Sequence, residues 1–159
     1  MALKGVPAFY LPALLASEND IKSFSMTGQR RDLNREKFKS ENLLAVLKNP
    51  ESNANKNLKY LRNAMDVRSE LKQFHPCSEM QCLSKGRSDI VVIKRSKGPE
   101  SVFAIHNMTE NKINYQLNDS DLLEKIDTDF NMRDYLTSVQ YNWKNISLDP
   151  FQVIWLGSL

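Results

Sequence analysis

The sequence changes character once, between Ser84 and Ser88, and that change limits the fold more than any other feature. Before it, apolar side chains recur at helical spacing. After it, short β-branched runs alternate with turn residues. Asp89-Ile90-Val91-Val92-Ile93-Lys94 is such a run, and Lys97-Gly98-Pro99 is a turn. Ser101-Val102-Phe103-Ala104-Ile105-His106 then completes a predicted hairpin. Ile113, Tyr115 and Leu117 alternate with Lys112, Asn114 and Gln116, the pattern of a half-buried strand. Residues 135–136, 146–148 and 151–156 supply further strands. Helices followed by antiparallel strands give the order of an α+β chain in two modules, 1–84 and 85–159.

The first module holds two predicted helices. One runs over 40–48, with Ser40 as its cap and Asn49-Pro50 as its stop. The other covers 54–73, where Leu58, Leu61, Met65 and Leu71 share a face and Lys59, Arg62, Asp66 and Glu70 point elsewhere. His75-Pro76 closes it. Residues 17–40 are polar without period and read as a long loop, a feature that is often functional inside a compact domain.

The opening segment imitates a secretory signal. Lys4 precedes an apolar stretch from Val6 to Leu15, and Ala16-Ser17 resembles a cleavage site. Pro7 and Pro12 break the helix such a signal forms, and Leu14 stands where a small residue is expected. The segment reads instead as a buried strand. Gly5 and Pro7 mark its start, and Ala8-Phe9-Tyr10-Leu11 is apolar on both faces, as in a parallel strand covered on both sides. Such a strand cannot satisfy its backbone alone. It therefore reads as the end of a larger α/β domain, and 6–15 as a surface for self-association.

Composition removes several classes. The chain is 41% hydrophobic and 26% charged with five Gly and six Pro, which excludes collagen-like and largely disordered chains. No apolar run approaches the roughly 18 residues of a membrane span, so no membrane partner is expected. Residues 1–80 carry 13 Lys and Arg against 9 Asp and Glu; residues 81–159 carry 9 against 10. The tight basic group is Arg30, Arg31 and Arg35, with Lys37 and Lys39 behind. Asp32 and Glu36 dilute it into a pattern typical of a solvated face, so nucleic acid is not an expected partner. Cys77 and Cys82 read as free thiols of a reducing compartment, which makes the cytoplasm the expected location. His75 and His106 lack a ligand pattern, and the acidic stretch 119–129 lacks calcium-loop spacing. Neither a metal nor a cofactor is expected. Trp143, Trp155 and Tyr141 read as β-domain core or, alternatively, as a sugar-stacking platform.

An ordered set of motifs carries a resemblance across nearly the whole chain. Gly5-Val6-Pro7 leads an aromatic segment, Ser17-Glu18-Asn19-Asp20 follows, and then Thr27-Gly28-Gln29-Arg30-Arg31-Asp32-Leu33-Asn34-Arg35. Phe74-His75-Pro76 comes next, and Leu148-Asp149-Pro150-Phe151-Gln152-Val153-Ile154-Trp155-Leu156 ends the set. The set resembles the eighth strand, following loop and C-terminal β domain of α-amylase-superfamily barrels in the sucrose-phosphorylase branch. The resemblance implies the last strand and helices of a (β/α)₈ barrel followed by an antiparallel β-sandwich. It also implies glucosyl transfer from an α-glucoside to phosphate with retention, a two-carboxylate reaction. The carboxylates that do this in the family sit after earlier strands, so no catalytic residue is assigned here and the chain alone is expected to be inactive. A whole barrel takes about 250 residues.

By the same resemblance Arg35 is the expected contact to the glucosyl unit, since a guanidinium offers a fixed fork of donors. Asn34, Asp20 and Arg31 are further substrate candidates, and Arg30 is a candidate for phosphate. Glu36-Lys37-Phe38 stands where sucrose phosphorylases resemble His-Tyr-Tyr, which turns the expectation from sucrose toward a related α-glucoside, with the glucosylglycerate type as one instance. The alternative reading is a non-catalytic β-sandwich that binds carbohydrate or a protein partner.

Overall fold

The structure, a computed structural model, describes residues 1–34, 38–84, 86–118, 122 and 131–157. The acidic stretch expected to be solvated lies almost wholly outside the described residues. Two compact units emerge. One is Pro7–Met65; the other joins Met1–Val6 to Asp66–Leu159.

In the Pro7–Met65 unit the apolar opening segment is not a strand. Residues 6–10 have no regular structure, and α1, Leu11–Leu14, follows with Pro12 in its first turn, where the missing N–H removes no helical bond. A strand needs a neighbour for its donors and acceptors, and none pairs with 7–11 among the described residues. The short helix satisfies them locally: the Leu14 N–H donates to the Tyr10 carbonyl at 3.1 Å and that of Ser17 to Pro12 at 2.9 Å.

The predicted loop 17–40 is also largely ordered. It holds α2, Ile21–Thr27, and a 3₁₀ turn, Arg30–Asn34. Gly28 ends α2 at φ +66°, the left-handed conformation glycine adopts without strain. Then α3 spans Ser40–Lys48, with Lys39 at the cap position and Ser40 as the first helical residue, making no capping bond. Asn49 turns extended before Pro50, as pre-proline sterics favour.

Next, α4 runs over Asn53–Glu70. Ser52 caps it through its Oγ, which accepts the Asn55 N–H at 3.1 Å. The predicted face is real: Leu58, Leu61 and Met65 are half-buried, while Lys59, Arg62, Asp66 and Glu70 are exposed. The helix stops before the predicted residue 73, because Leu71 turns extended and a separate 3₁₀ turn, Lys72–Phe74, follows.

The larger unit is built on strands. They are β1 Glu79–Cys82, β2 Ile90–Lys97, β3 Glu100–Asn107, β4 Ile113–Tyr115, β5 Asn131–Asp134, β6 Gln140–Asn142, β7 Ile146–Leu148 and β8 Val153–Gly157. Six form one sheet in the order β1-β2-β3-β8-β5-β6, and β4 pairs with β7 separately. Every recorded pairing is antiparallel. The predicted hairpin is β2–β3, with Lys97 opposite Glu100 across the turn. Residues 135–136 are a turn and not a strand, since Asp134 ends β5 with its carboxylate accepting the Leu136 N–H at 3.1 Å.

The central strands of the six-stranded sheet, β2, β3 and β8, are buried on both faces, while β1 is exposed along its length. On one face, Phe103, Ile105, Ile154 and Leu156 pack with Trp143, Ile146 and Leu148 in a continuous apolar cluster. On the other, Trp155 meets Phe74 with ring centroids 4.6 Å apart. The two indoles therefore lie in different layers of the same unit.

Candidate functional site

The described residues among those singled out, Asp20, Arg30, Arg31 and Asn34, lie in the Pro7–Met65 unit, around α2 and the 3₁₀ turn after it. Asp20 caps α2: its carboxylate accepts the Ser23 N–H at 2.9 Å and the Ser23 hydroxyl at 2.5 Å. These two bonds, the hydroxyl first, lower the Asp20 carboxyl below its ordinary range. The Asp20 N–H in turn donates to the Leu33 carbonyl at 2.7 Å, which ties the start of α2 to the 3₁₀ turn. At the other end of α2, the Thr27 hydroxyl lies 2.6 Å from the Asp32 carboxylate. The segment is thus a closed polar knot, each end of α2 bonded to the turn that follows it.

Arg30 and Arg31 stand on the exposed side of this knot. The Arg31 guanidinium keeps 66% of its side-chain surface and comes only to 4.0 Å of Asp32, so its donors are open to solvent. Asn34 is exposed too, and its backbone carbonyl accepts the Tyr10 hydroxyl at 2.9 Å. Arg35, the first candidate for the glucosyl contact, lies outside the described residues. The structure brings Asp20, Arg30, Arg31 and Asn34 into one short segment. Sequence reasoning missed Tyr10, Ser23 and Thr27, which hold the segment's shape. Asp20 just ahead of Ile21 is a preferred N-cap residue, a signal that could have shown the helix.

A cleft of ≈ 430 Å³ opens in the same unit, lined by Leu15, Ser17, Phe38, Asn42, Leu43 and Ala54 among others. The Ser17 hydroxyl is buried with no partner among the described residues. Among those residues, no group of three or more His, Cys, Asp or Glu gathers into a metal site. No helix is long and apolar enough to cross a membrane.

Two features of the sheet unit bear on sugar binding. Trp143 and Trp155 are both only 2% exposed, so neither indole can stack on a sugar. The platform reading fails on that burial. Cys77 and Cys82 are free and exposed, and the Ser84 hydroxyl beside Cys82 lowers its thiol below the ordinary value.

Known proteins supply the frame for this geometry. No described family profile matches the chain. The glucosylglycerate phosphorylase of Allomeiothermus silvanus is 32% identical over 110 residues, covering 69% of this chain and 20% of that protein. The protein of the same name from Escherichia coli K12 is 25% identical over 157 residues, 98% of this chain and 26% of its own length. Among solved structures, AmyP in complex with maltose superposes with TM-score 0.55 at 18% identity, covering 67% of this chain and 22% of AmyP. Trehalose-6-phosphate hydrolase of Bacillus licheniformis gives 0.51 at 18% identity, over 72% and 20%. The chain is thus similar to part of the glucosylglycerate phosphorylases and shares the fold of part of AmyP and of trehalose-6-phosphate hydrolase. It spans about a fifth to a quarter of the length of the curated relatives it matches.

Proposed function

We propose that the chain is the C-terminal part of a retaining α-glucoside phosphorylase of the glucosylglycerate type, a protein that moves a glucosyl group to phosphate. The observation that carries this reading is the likeness to glucosylglycerate phosphorylases, which reaches 32% identity over 110 residues. In it, residues 1–84 supply the end of a (β/α)₈ barrel and 85–159 a β-sandwich, with 7–11 becoming the eighth strand when neighbouring strands are present. Arg35 donates to the glucosyl hydroxyls, with Asn34, Asp20 and Arg31 beside it and Arg30 nearest phosphate. The exposure of Arg30 and Arg31, the latter reaching Asp32 only at 4.0 Å, supports an anion nearby. Retention requires two carboxyl groups about 5–5.5 Å apart, and those belong to the earlier strands of such a barrel. The chain by itself is then without phosphorolytic activity. Two exposed free thiols are in keeping with a cytoplasmic setting.

The test exchanges the matching last quarter of the Escherichia coli relative for this chain and follows glucose 1-phosphate released from glucosylglycerate. The chimera is expected to be active and the isolated chain inactive. Arg35→Ala in the chimera should lower kcat/KM about a hundredfold, the scale of one lost charged donor at the reacting sugar. Glucose 1-phosphate from the isolated chain, or full activity in the Arg35→Ala chimera, overturns the reading. Without the barrel, copies of the chain are expected to associate through 6–15, where Tyr10 and Leu11 are exposed. Sedimentation velocity at rising concentration detects this, and Leu11→Ser should abolish it.

A further inference from the structure

Two arginines of the sheet unit are buried without a carboxylate. Arg95 on β2 is 0% exposed and Arg68 near the end of α4 is 9% exposed, and neither makes an ion pair among the described residues. A buried charge is costly unless its donors are met. Here backbone carbonyls meet them. Arg95 Nη1 donates to the Ala2 and Leu3 carbonyls at 3.0 Å each, Nη2 to the His75 carbonyl at 2.8 Å, and Nε to that of Glu79 at 3.2 Å. Arg68 donates to the Gly5 carbonyl at 2.8 Å and to that of Met1. Both guanidinium groups stand over the Phe74 ring, the Arg68 carbon 5.3 Å and the Arg95 carbon 5.7 Å from its centroid. The Phe74 ring rests in turn on Trp155.

The dependence runs both ways. Residues 1–5 have no ladder or helix of their own to hold them, and their recorded carbonyl partners are these arginines. Conversely, lifting the segment would strip four acceptors from two like charges that burial already disfavours. Segment and arginines are then docked together or released together, an element with two states and few stable intermediates.

The structure assigns Arg68 and Arg95 the role of a latch that fastens residues 1–5 across the Phe74–Trp155 layer of the sheet unit. A fork of five N–H donors reaches several carbonyls at once, which an ammonium cannot do from the same position. The latch is thus specific to arginine and is not a matter of charge alone.

Trypsin cleavage after Lys4 tests it, followed by the mass loss of residues 1–4. In the wild-type chain this bond should be cut at least about tenfold more slowly than the one after Lys39, an exposed residue outside any helix. Arg95→Met, Arg68→Met and Arg95→Lys should each raise cleavage after Lys4 by about tenfold or more, with near-ultraviolet tryptophan signals retained. The loss of two charge-assisted bonds sets that scale. Wild-type cleavage after Lys4 as fast as after Lys39 overturns the latch, whether or not the variants fold. So does unchanged cleavage in a folded Arg95→Met chain, while wild-type rates in Arg95→Lys would reduce the latch to charge alone and overturn its dependence on the guanidinium fork.

Discussion

The two units of this chain are stabilised by different physics. In the sheet unit, Val92, Phe103, Ile105, Leu148, Ile154 and Leu156 are at most 2% exposed, and side chains pack on both faces of the central strands β2, β3 and β8. In the unit from Pro7 to Met65, the described buried residues are Leu15, Ala54 and Ala64. Tyr10, Leu11, Ile21, Met26, Leu44, Val46 and Tyr60 remain exposed there. What holds that unit is a series of polar ties: Asp20 with Ser23, Thr27 with Asp32, Ser52 with Asn55, and the Asn57 side-chain amide on the Ala13 and Leu14 carbonyls at 2.8 and 3.0 Å. Each such bond adds only about 0.5–1.5 kcal/mol net in water. Apolar burial stabilises more, at roughly 25 cal/mol per Å². The sheet unit therefore has the means to fold by itself, and the helical unit has apolar surface suited to further contacts.

The sharpest way to break this contrast is to cut into each unit with the same kind of substitution. Phe103→Ala removes a ring that is 2% exposed from the sheet core and should destabilise by about 3–5 kcal/mol. Leu44→Ala, at a side chain 57% exposed in α3, should change stability by no more than about 0.5 kcal/mol. Denaturant unfolding followed by tryptophan fluorescence for the first, and by far-ultraviolet circular dichroism for the second, measures both. Similar costs at the two positions would end the distinction.

A smaller effect is expected where the sheet meets its own turn. At Gly157, ending β8, an added Cβ would run into Tyr135 Cε2 and stand 2.6 Å from its hydroxyl and 2.8 Å from Cζ. That approach requires the ring or the strand to move, so Gly157→Ala should cost about 1–3 kcal/mol. A melting temperature unchanged within error would mean that Tyr135 swings away freely. The third difference is kinetic. Limited proteolysis should cut within 7–50 before it cuts within 90–157, because local opening is easiest where few apolar contacts are lost. Equal resistance across both stretches would mean that the exposed side chains of the helical unit have found cover in another copy.

The same contrast decides what could be read from the sequence. The β2–β3 hairpin and the alternation at Ile113, Tyr115 and Leu117 were legible because burial imposes a period, and the structure keeps those faces. The face of α4 was legible for the same reason. α2 was not, because its order comes from an aspartate cap and a left-handed Gly28, which leave no apolar period. Nor was β6, three residues long, whose pattern e-i-e across Gln140–Asn142 carries almost no hydrophobic information. The strand expected over 8–11 failed differently: its composition describes an environment with neighbours on both sides, and composition alone does not supply those neighbours. Of the candidate site, Asp20, Arg30, Arg31 and Asn34 were named from motifs, yet Asp20 proves to be a cap, and the Tyr10 bond to the Asn34 carbonyl joins residues too far apart for any local pattern.

The smallest expected effect concerns pH and the buried face of β3. His106 is paired between β2 and β8, opposite Val91 and Val153, and its Nε2 is buried with no partner among the described residues. Burial, and to a lesser degree the ammonium of Met1, lowers its pKa below the ordinary value near 6.5. As pH falls below about 6.5, the unfolded chain takes up a proton that the folded chain refuses, so stability declines. The contribution is complete above the unfolded value and is lost as pH drops through the folded one. Carboxylates titrate in the same direction, so the wild-type slope alone says little. Subtracting the profile of His106→Gln removes them, because every other group is common to both chains. The difference in urea midpoint between wild type and variant should shift in favour of the variant between pH 7.5 and pH 5, and a difference that stays flat over that interval would place His106 in contact with water. That outcome would also weaken the contrast between the units, since it would open to solvent one edge of the layer that Phe74 and Trp155 define.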